Sequence, residues 1–170
     1  MRIKLRRVRI KDARDFTACH ISCWQAAYRG IIPDSYLDNM NTELDARTER
    51  CVQSLSNPGT NEFFYVGHKG QMIGRLIICK SRDADMPHAG EIGAFYLVRA
   101  FWGKGYGKAM MGFALKRLKR KGHRDVLLWV LEENARARRF YEKCGFVFDG
   151  TKKEIEVGKP LIEVRYVLLY

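Results

Sequence analysis

The sequence of 170 residues lacks an apolar run of membrane-spanning length, and its first residues, MRIKLRR, lack the apolar core of a signal peptide. We therefore expect a cytoplasmic protein without a membrane partner. The five cysteines form no C-x-x-C pair and the four histidines have no ligand spacing, so neither a disulfide framework nor a bound metal is expected. Internal repeats and low-complexity tracts are also absent from the sequence, which favours an ordinary globular protein.

Hydrophobic periodicity predicts one α+β domain over residues 1–170, with a mixed, mostly antiparallel sheet of about six to seven strands and about four helices. Sequential hairpin patterns precede a strand–helix crossover, which places a parallel pair of strands in the sheet. Asp12 is the predicted cap of the first helix, with Asp15 at its third position, and Gly30 and Pro33 end that helix. Strands are predicted at residues 2–10, 63–66, 72–79, 91–98, 126–131, 146–148 and 161–169, and further helices at 42–55, 107–121 and 134–145.

The stretch from Tyr96 to Met111 carries the strongest functional signal, because an extended run is followed by alternate glycines over residues 103–107 and then by a helical pattern. Glycines let the backbone adopt positive φ and approach a ligand closely, and the first N–H groups of a helix have no internal partners. Helix N-termini favour negative charge, and Lys104 and Lys108 add positive charge here. This order of elements predicts a site for a phosphate-bearing ligand.

Two well-known phosphate loops do not fit the spacing. A P-loop needs four residues before its Gly-Lys and a Ser or Thr after it, but three residues separate Gly103 from Gly107, and Ala109 follows Lys108. The dinucleotide fingerprint needs a third glycine at position 108 or 110, where the chain has Lys108 and Met110. A dinucleotide fold is therefore disfavoured.

A third kind of loop does fit. Residues 102–107, WGKGYG, resemble the coenzyme A pyrophosphate loop of the GNAT superfamily, the acyl-CoA-dependent N-acyltransferases, written Arg/Gln-x-x-Gly-x-Gly/Ala. Gly105 and Gly107 match this pattern, whereas Trp102 stands where the family has Arg or Gln, which loses a polar contact. Residues 134–146, NARARRFYEKCGF, are similar to a second motif of the family, N-x-x-A-x-x-F/L-Y-x-x-x-G-F. Two motifs in this order are far more specific than the glycine loop alone.

The resemblance implies a single N-acetyltransferase domain with acetyl-CoA as co-substrate. Leu97 and Val98 would contact the pantetheine arm through their backbone, and Asn134 has two compatible roles, as a helix cap and as a contact to that arm. Expected cofactor-binding residues are Phe95, Leu97, Val98, Trp102, Gly103, Lys104, Gly105, Tyr106, Gly107, Lys108, Asn134, Ala137, Tyr141 and Lys143.

Acetyl transfer to an amine needs an uncharged amine, a cradle for the oxyanion and a proton for the departing thiolate. Residues 90–95 resemble the segment that carries a general-base Glu in some members of the family, so Glu91 is the expected base, acting directly or through water. Tyr141 aligns with the helix Tyr that commonly hydrogen-bonds the sulfur of the coenzyme, and it is the expected acid. A solvated strand position for Glu91 and helix–sheet packing for Tyr141 are the structural alternatives.

The acceptor side is less sharply defined. Residues 24–37 resemble a stretch of one broad bacterial branch of the family, whose first helical pair forms a wall of the acceptor cleft. Trp24, Tyr28 and Tyr36 are therefore expected to contact the acceptor. Aromatic residues at helical spacing also suit a core, and that alternative stays open.

Basic residues exceed acidic ones, 31 to 19, and a dense basic cluster occupies residues 116–121. Such a cluster suits nucleic acid, the end of a helix, or the attraction of coenzyme A phosphates. The last two are favoured, since no aromatic-interleaved RNA motif is present.

The predicted function is transfer of an acetyl group from acetyl-CoA to a primary amine of a small molecule or protein, by direct attack in a ternary complex. The alternatives are a non-catalytic CoA-binding regulatory module and, less favoured, a nucleic-acid-binding protein. A homodimer is compatible with the resemblance.

Overall fold

The structure is a computed structural model and describes residues 3–169. Within these residues the chain forms seven strands, β1 (Lys4–Arg7), β2 (Glu62–His68), β3 (Gln71–Lys80), β4 (Gly90–Leu97), β5 (Val126–Leu131), β6 (Val147–Glu156) and β7 (Pro160–Leu168). Five α-helices accompany them, α1 (Ala13–Tyr28), α2 (Asp34–Asn39), α3 (Leu44–Ser56), α4 (Tyr106–Arg120) and α5 (Ala135–Lys143).

The strands form one sheet in the order β1-β2-β3-β4-β5-β7-β6. All neighbours are antiparallel except β4 and β5, which are parallel and are joined by the crossover through α4. The predicted α+β class and mixed sheet are thus confirmed. The short helix α2, directly after Pro33, was not predicted, because six residues are too few to show a hydrophobic period.

The parallel ladder between β4 and β5 is unusually short. It consists of the pairs Gly90–Val126 and Glu91–Leu127, after which β4 continues beside β3 and β5 continues beside β7. Gly93 is the extra residue of a bulge, since Ile92 and Ala94 pair with consecutive residues of β3. The two central strands therefore diverge and leave a gap in the middle of the sheet.

Helices cover both faces of this sheet. Helix α4 buries Met110, Met111, Ala114 and Leu118 in the larger core, which Tyr141 of α5 also joins. Helices α1 and α2 pack on the opposite face, against the side chains of Leu131 and Leu161. The gap between β4 and β5 thus connects the α4–α5 face with the α1–α2 face.

Asp12 does not cap α1 as predicted. Its carboxylate accepts hydrogen bonds from the Arg6 guanidinium, at 2.7 Å and 3.0 Å, and from the Arg9 backbone N–H at 2.8 Å. The hydrogen bond from Arg6 is the main reason why the pKa of Asp12 lies far below its usual value. The carboxylate closes a 3-10 turn, residues 10–12, that precedes the helix.

The loop between β3 and β4 is held by a cluster that sequence reasoning missed. The buried Arg165 of β7 contacts Asp83 at 3.0 Å and Asp85 at 2.7 Å, both in this loop, and Asp149 of β6 at 2.7 Å. Asp83 also accepts a hydrogen bond from the indole N–H of Trp129, at 3.1 Å. The cluster fixes the loop beside the gap, on the face that α1 also covers.

The basic cluster at the end of α4 is partly used within the fold. Glu62 of β2 is buried, and its carboxylate contacts Arg7 at 2.9 Å, Arg117 at 2.8 Å and Lys121 at 2.7 Å. Burial alone would raise the pKa of Glu62, but the hydrogen bonds from Arg117 and Lys121 outweigh it and lower the pKa to about 2. These contacts tie the C-terminal turn of α4 to the sheet.

The pH dependence of unfolding should reveal how much the Glu62 carboxylate stabilises the fold. A pKa lowered in the folded state gives stability that is present above the ordinary pKa of Glu, 4.5, and is lost as the pH falls towards about 2. We expect Glu62→Gln to reduce the free energy of unfolding by about 2–3 kcal/mol at neutral pH and to flatten its pH dependence below pH 4.5. Urea unfolding between pH 2 and pH 7 measures both effects. The exposed Glu49 supplies the control, Glu49→Gln, and equal behaviour of the two variants would contradict the assignment.

Candidate active site

A cavity of about 710 Å³ follows the gap between β4 and β5 and is lined by residues of helices from both faces of the sheet. Its first end is lined by the glycine loop after β4 and by α5. Its second end is lined by α1, by the start of the β3–β4 loop and by β5, β6 and β7. One continuous space therefore joins two chemically different regions.

The first end is built by backbone geometry. Gly103 and Gly105 have φ values of 69° and 81°, which non-glycine residues rarely adopt, and Gly105 directly precedes α4. The first N–H groups of α4 have no partners within the helix, and they lie beside the cavity that Gly105, Gly107 and Lys108 line. This arrangement suits a bound anion.

Gly107 is needed for a second reason. A Cβ at this position would lie 3.1 Å from Cε2 of Phe140, so the absence of a side chain lets α4 approach α5. Asn134 caps α5, because its side-chain oxygen accepts the N–H of Ala137 at 3.1 Å, and this confirms its predicted structural role. The two motifs found in the sequence are thus packed against each other.

Trp102 has two contacts that the sequence did not indicate. Its indole N–H donates to the carbonyl oxygen of Leu97 at 2.7 Å, which fixes the ring against the end of β4. The guanidinium of Arg136, on α5, lies over this ring with its carbon 3.3 Å from the ring centroid. The ring therefore holds a cation from the second motif beside the loop of the first.

Positive charge is concentrated at this end of the cavity. Burial, and then the nearby charge of Arg99, lower the pKa of Arg136. Within residues 3–169, neither Arg99 nor Arg136 has a carboxylate partner in an ion pair. Further cations that line the cavity are Lys108, Arg139 and Lys143. A multiply charged anion would relieve the repulsion among these groups.

The exposed edge of β4 offers backbone groups to a ligand. Val98 donates its N–H to Ile73 of β3 at 2.9 Å, so this donor is already used. Because alternate residues of a strand face opposite edges, the N–H groups of Leu97 and Phe95 face the gap instead. The carbonyl oxygen of Leu97 already accepts a hydrogen bond from Trp102. Phe95 can therefore offer both its N–H and its carbonyl oxygen to a ligand, whereas Leu97 can offer its N–H.

Tyr141 lines the cavity, and its ring packs edge-on against those of Phe95 and Phe146, with centroids 6.2 Å apart in each case. It is buried, and burial raises the pKa of its phenol, so the hydroxyl stays protonated and can donate. Cys144 lies one helical turn beyond Phe140 and also lines the cavity, and burial raises the pKa of its thiol. A donor is thus available here, whereas a thiolate nucleophile is not favoured.

Of the three predicted acceptor residues, Tyr28 lines the cavity and the other two do not. The hydroxyl of Tyr28 lies 3.2 Å from that of Tyr96, and burial raises the pKa of both phenols. Trp24 packs edge-on against Tyr28, with ring centroids 5.1 Å apart, and Tyr36 packs against Gly158. Trp24 therefore supports the wall from behind.

Two carboxylates line the second end. Glu91 is buried at the branch point of the sheet, where it accepts the backbone N–H of Arg82 at 3.1 Å and also hydrogen bonds from the Arg82 guanidinium. Glu163 of β7 contacts the ammonium of Lys153 at 3.2 Å. Sequence reasoning missed Glu163, Lys153 and Trp129, because only the register of β5, β6 and β7 brings them to the cavity.

The predicted cofactor residues fall into two groups. Val98, Lys104 and Tyr106 are outside the cavity lining. The residues that line it are Phe95, Leu97, Trp102, Gly103, Gly105, Gly107, Lys108, Asn134, Ala137, Tyr141 and Lys143.

Comparisons with known proteins agree with this geometry. A model of the acetyltransferase (GNAT) family matches residues 22–146. The chain is 26% identical over 132 residues to the uncharacterized N-acetyltransferase YuaI of Bacillus subtilis. The aligned region covers 78% of this chain and 73% of that protein. It is 28% identical over 148 residues to a probable N-acetyltransferase of Mycobacterium tuberculosis, and this aligned region covers 87% of this chain and 82% of that protein.

A solved structure shares the whole fold. The crystal structure of the PaiA N-acetyltransferase from Thermoplasma acidophilum in complex with coenzyme A superposes with a TM-score of 0.76, over 100% of both chains, at 23% identity. No helix among residues 3–169 has the length and hydrophobicity of a membrane span.

Two exposed glycines, Gly105 at the start of α4 and Gly112 in its middle, allow a matched test of the glycine loop. Gly105→Ala forces a side chain into the left-handed region and should lower the free energy of unfolding by about 1 kcal/mol. Gly112→Ala, in the same helix with open space around the new methyl group, should raise it by about 0.5–1 kcal/mol. Urea unfolding measures both, and a stabilising Gly105→Ala would show that the loop does not need its backbone geometry.

Proposed function

The chain belongs to the GNAT family and is an acyltransferase, and we propose that it transfers the acetyl group of acetyl-CoA directly to a primary amine. The observation that carries the proposal is the single cavity through the divided sheet. Its cationic end suits the phosphates of the co-substrate, and its opposite end contains carboxylates and aromatic rings that suit an amine.

The residues at the first end fit coenzyme A. The free N–H groups at the start of α4 and the side chains of Lys108 and Arg136 would hold its phosphates. The backbone of Phe95 and the N–H of Leu97 would hold the amides of the pantetheine arm. Acetyl-CoA supplies the activated acyl group, and the protein positions that group and manages the protons.

Tyr141 is the proposed general acid. Its phenol lines the cavity and stays protonated, so it can donate a proton to the sulfur as the thiolate leaves. The amine must lose a proton before it attacks the carbonyl carbon. Glu91 is the proposed base and acts through water, because its carboxylate is already bonded to Arg82.

Direct transfer is preferred to an acyl-enzyme intermediate. The cysteines that line the cavity are Cys23 and Cys144, and the pKa of each thiol is raised. Hydrogen bonding with Cys19 is the main cause at Cys23, and burial is the main cause at Cys144. Both thiols are thus poor nucleophiles, so the amine itself attacks the thioester.

The proposal is tested by acetyl-CoA titration calorimetry and by thiol release with a broad panel of primary amines. We expect binding of acetyl-CoA, and turnover that requires both the acetyl donor and an amine. Binding without acetylation of any amine would contradict an enzymatic role, and absence of binding would contradict the assignment of the glycine loop. With a substrate in hand, Tyr141→Phe should lower kcat by about a hundredfold with unchanged affinity for coenzyme A.

Two further variants complete this experiment. Glu91→Gln should lower kcat at low pH more than at high pH, where the amine is already neutral. Tyr65→Phe, in which the lost hydroxyl lies at the β2–β3 turn, is the control for Tyr141→Phe. Full turnover of Tyr141→Phe and Glu91→Gln would show that neither proposed proton-transfer role is correct.

The stacked Arg136 gives a separate prediction. We expect Arg136→Ala to raise the Kd for coenzyme A by about tenfold, since a charge-assisted phosphate contact and the relief of repulsion with Arg99 are both lost. Arg120→Ala removes the same charge from the far end of α4 and should change the Kd little, because salt screens distant charges. Isothermal calorimetry measures both Kd values. Equal increases in the two variants would show that Arg136 acts through its net charge and not through a direct contact with the phosphates.

A further inference from the structure

The acceptor end of the cavity contains a cation site that the protein fills with its own side chain. The ammonium of Lys153 lies 3.9 Å from the centroid of the Trp129 ring and 3.2 Å from the carboxylate of Glu163. All three side chains line the cavity that also contains Tyr141. An aromatic face and a carboxylate together form a favourable site for an alkylammonium group.

The two halves of this ion pair are not equally fixed. Glu163 lies on β7, which is paired on both sides by β5 and β6, and its side chain is 23% exposed. Lys153 lies on the edge strand β6, and its side chain is 42% exposed. Trp129 is held in place by the hydrogen bond from its indole to Asp83. If Lys153 swings into solvent, the ring and the carboxylate stay and form an open cation site.

We infer that the amine acceptor carries a second positive charge, which binds to Trp129 and Glu163 in place of the Lys153 ammonium. The inference rests on the proposed function and names its acceptor class, an aliphatic diamine. One amine reacts in its neutral form near Tyr141, and the other stays protonated in the cation site. The hydroxyls of Tyr28 and Tyr96 lie on the same side of the sheet and complete a polar, aromatic wall for the chain between the two amines.

An acceptor with a negative group is the competing possibility, because Lys153 and Arg82 could bind it. The arrangement of the charges favours the cation. The carboxylates Glu91 and Glu163 lie on central strands, and their side chains are 2% and 23% exposed, whereas those of their partners Arg82 and Lys153 are 69% and 42% exposed. The buried Arg165 also lies near the Trp129 ring, 5.7 Å from its centroid, but Asp83, Asp85 and Asp149 pair with it. Among the charged groups that line this end of the cavity, the less exposed ones are therefore acidic.

The experiment compares putrescine with n-pentylamine, its isostere that has a methyl group where putrescine has the second amine. Initial rates are measured at saturating acetyl-CoA for the wild type, Lys153→Met and Glu163→Gln. We expect the ratio of kcat/KM for putrescine to that for n-pentylamine to rise about tenfold in Lys153→Met, because the internal competitor is removed, and to fall about tenfold in Glu163→Gln.

The neighbouring ion pair gives matched controls. Lys152 follows the opposite alternation on β6 and contacts Glu132 at 2.6 Å, outside the cavity lining. Lys152→Met and Glu132→Gln remove the same groups from an ion pair that joins β6 to the residue after β5, and they should leave the ratio unchanged. Equal shifts in both pairs of variants would overturn the inference, and so would a reduced ratio in Lys153→Met, which would indicate an acceptor with a negative group.

Calorimetry separates this inference from the proposed function. Putrescine is titrated into the CoA-saturated Lys153→Met protein, with n-pentylamine as the reference ligand. Tighter binding of putrescine supports the cation site even if no amine is acetylated, in which case the proposed function alone fails. Turnover of many amines without any preference for the diamine, in the wild type and in Lys153→Met, would overturn the cation site and leave the proposed function intact.

Discussion

The divergence of β4 and β5 is the constraint on which the rest of this structure depends. Two pairs of residues join these strands, and the bulge at Gly93 turns β4 away before a third pair can form. Backbone groups beyond the branch point lose their strand partner, and unpaired N–H and C=O groups in a protein interior are costly unless a ligand satisfies them. The fold therefore contains a built-in place for an extended, hydrogen-bonding chain, and the crossover puts the N-terminus of α4 at its end.

The same divergence separates the charges of the cavity. Cations gather on the α4–α5 side, where Arg136 and Lys108 add to the positive end of the helix dipole. Carboxylates lie on the α1–α2 side, where each has a cation of the protein itself as partner. In the reaction proposed above, an anionic donor would bind on the first side and a cationic acceptor on the second, so neither has to cross the binding region of the other.

Sequence reasoning succeeded where the signal is local. The glycine loop, the Asn134 cap and the hairpin of β2 and β3 are set by a few neighbouring residues, and the structure agrees with these predictions. It failed where distant segments decide. Asp12 has the position of a helix cap, but its carboxylate accepts hydrogen bonds from Arg6 instead of from the helix N–H groups. Glu163 and Trp129 carry no motif, and they reach the cavity through a register that periodicity does not specify.

Trp102 shows how such distant contacts change the meaning of a motif. Replacement of the family's Arg or Gln by Trp removes a polar side chain from the loop, which suggests weaker binding of a diphosphate when the loop is considered alone. In the folded chain the indole is fixed by Leu97 and supports Arg136, so a guanidinium from α5 lies beside the loop instead. Because an Arg held on an aromatic ring loses less rotational freedom on binding than a free one, Arg136 is ordered in advance for the phosphate contact proposed above.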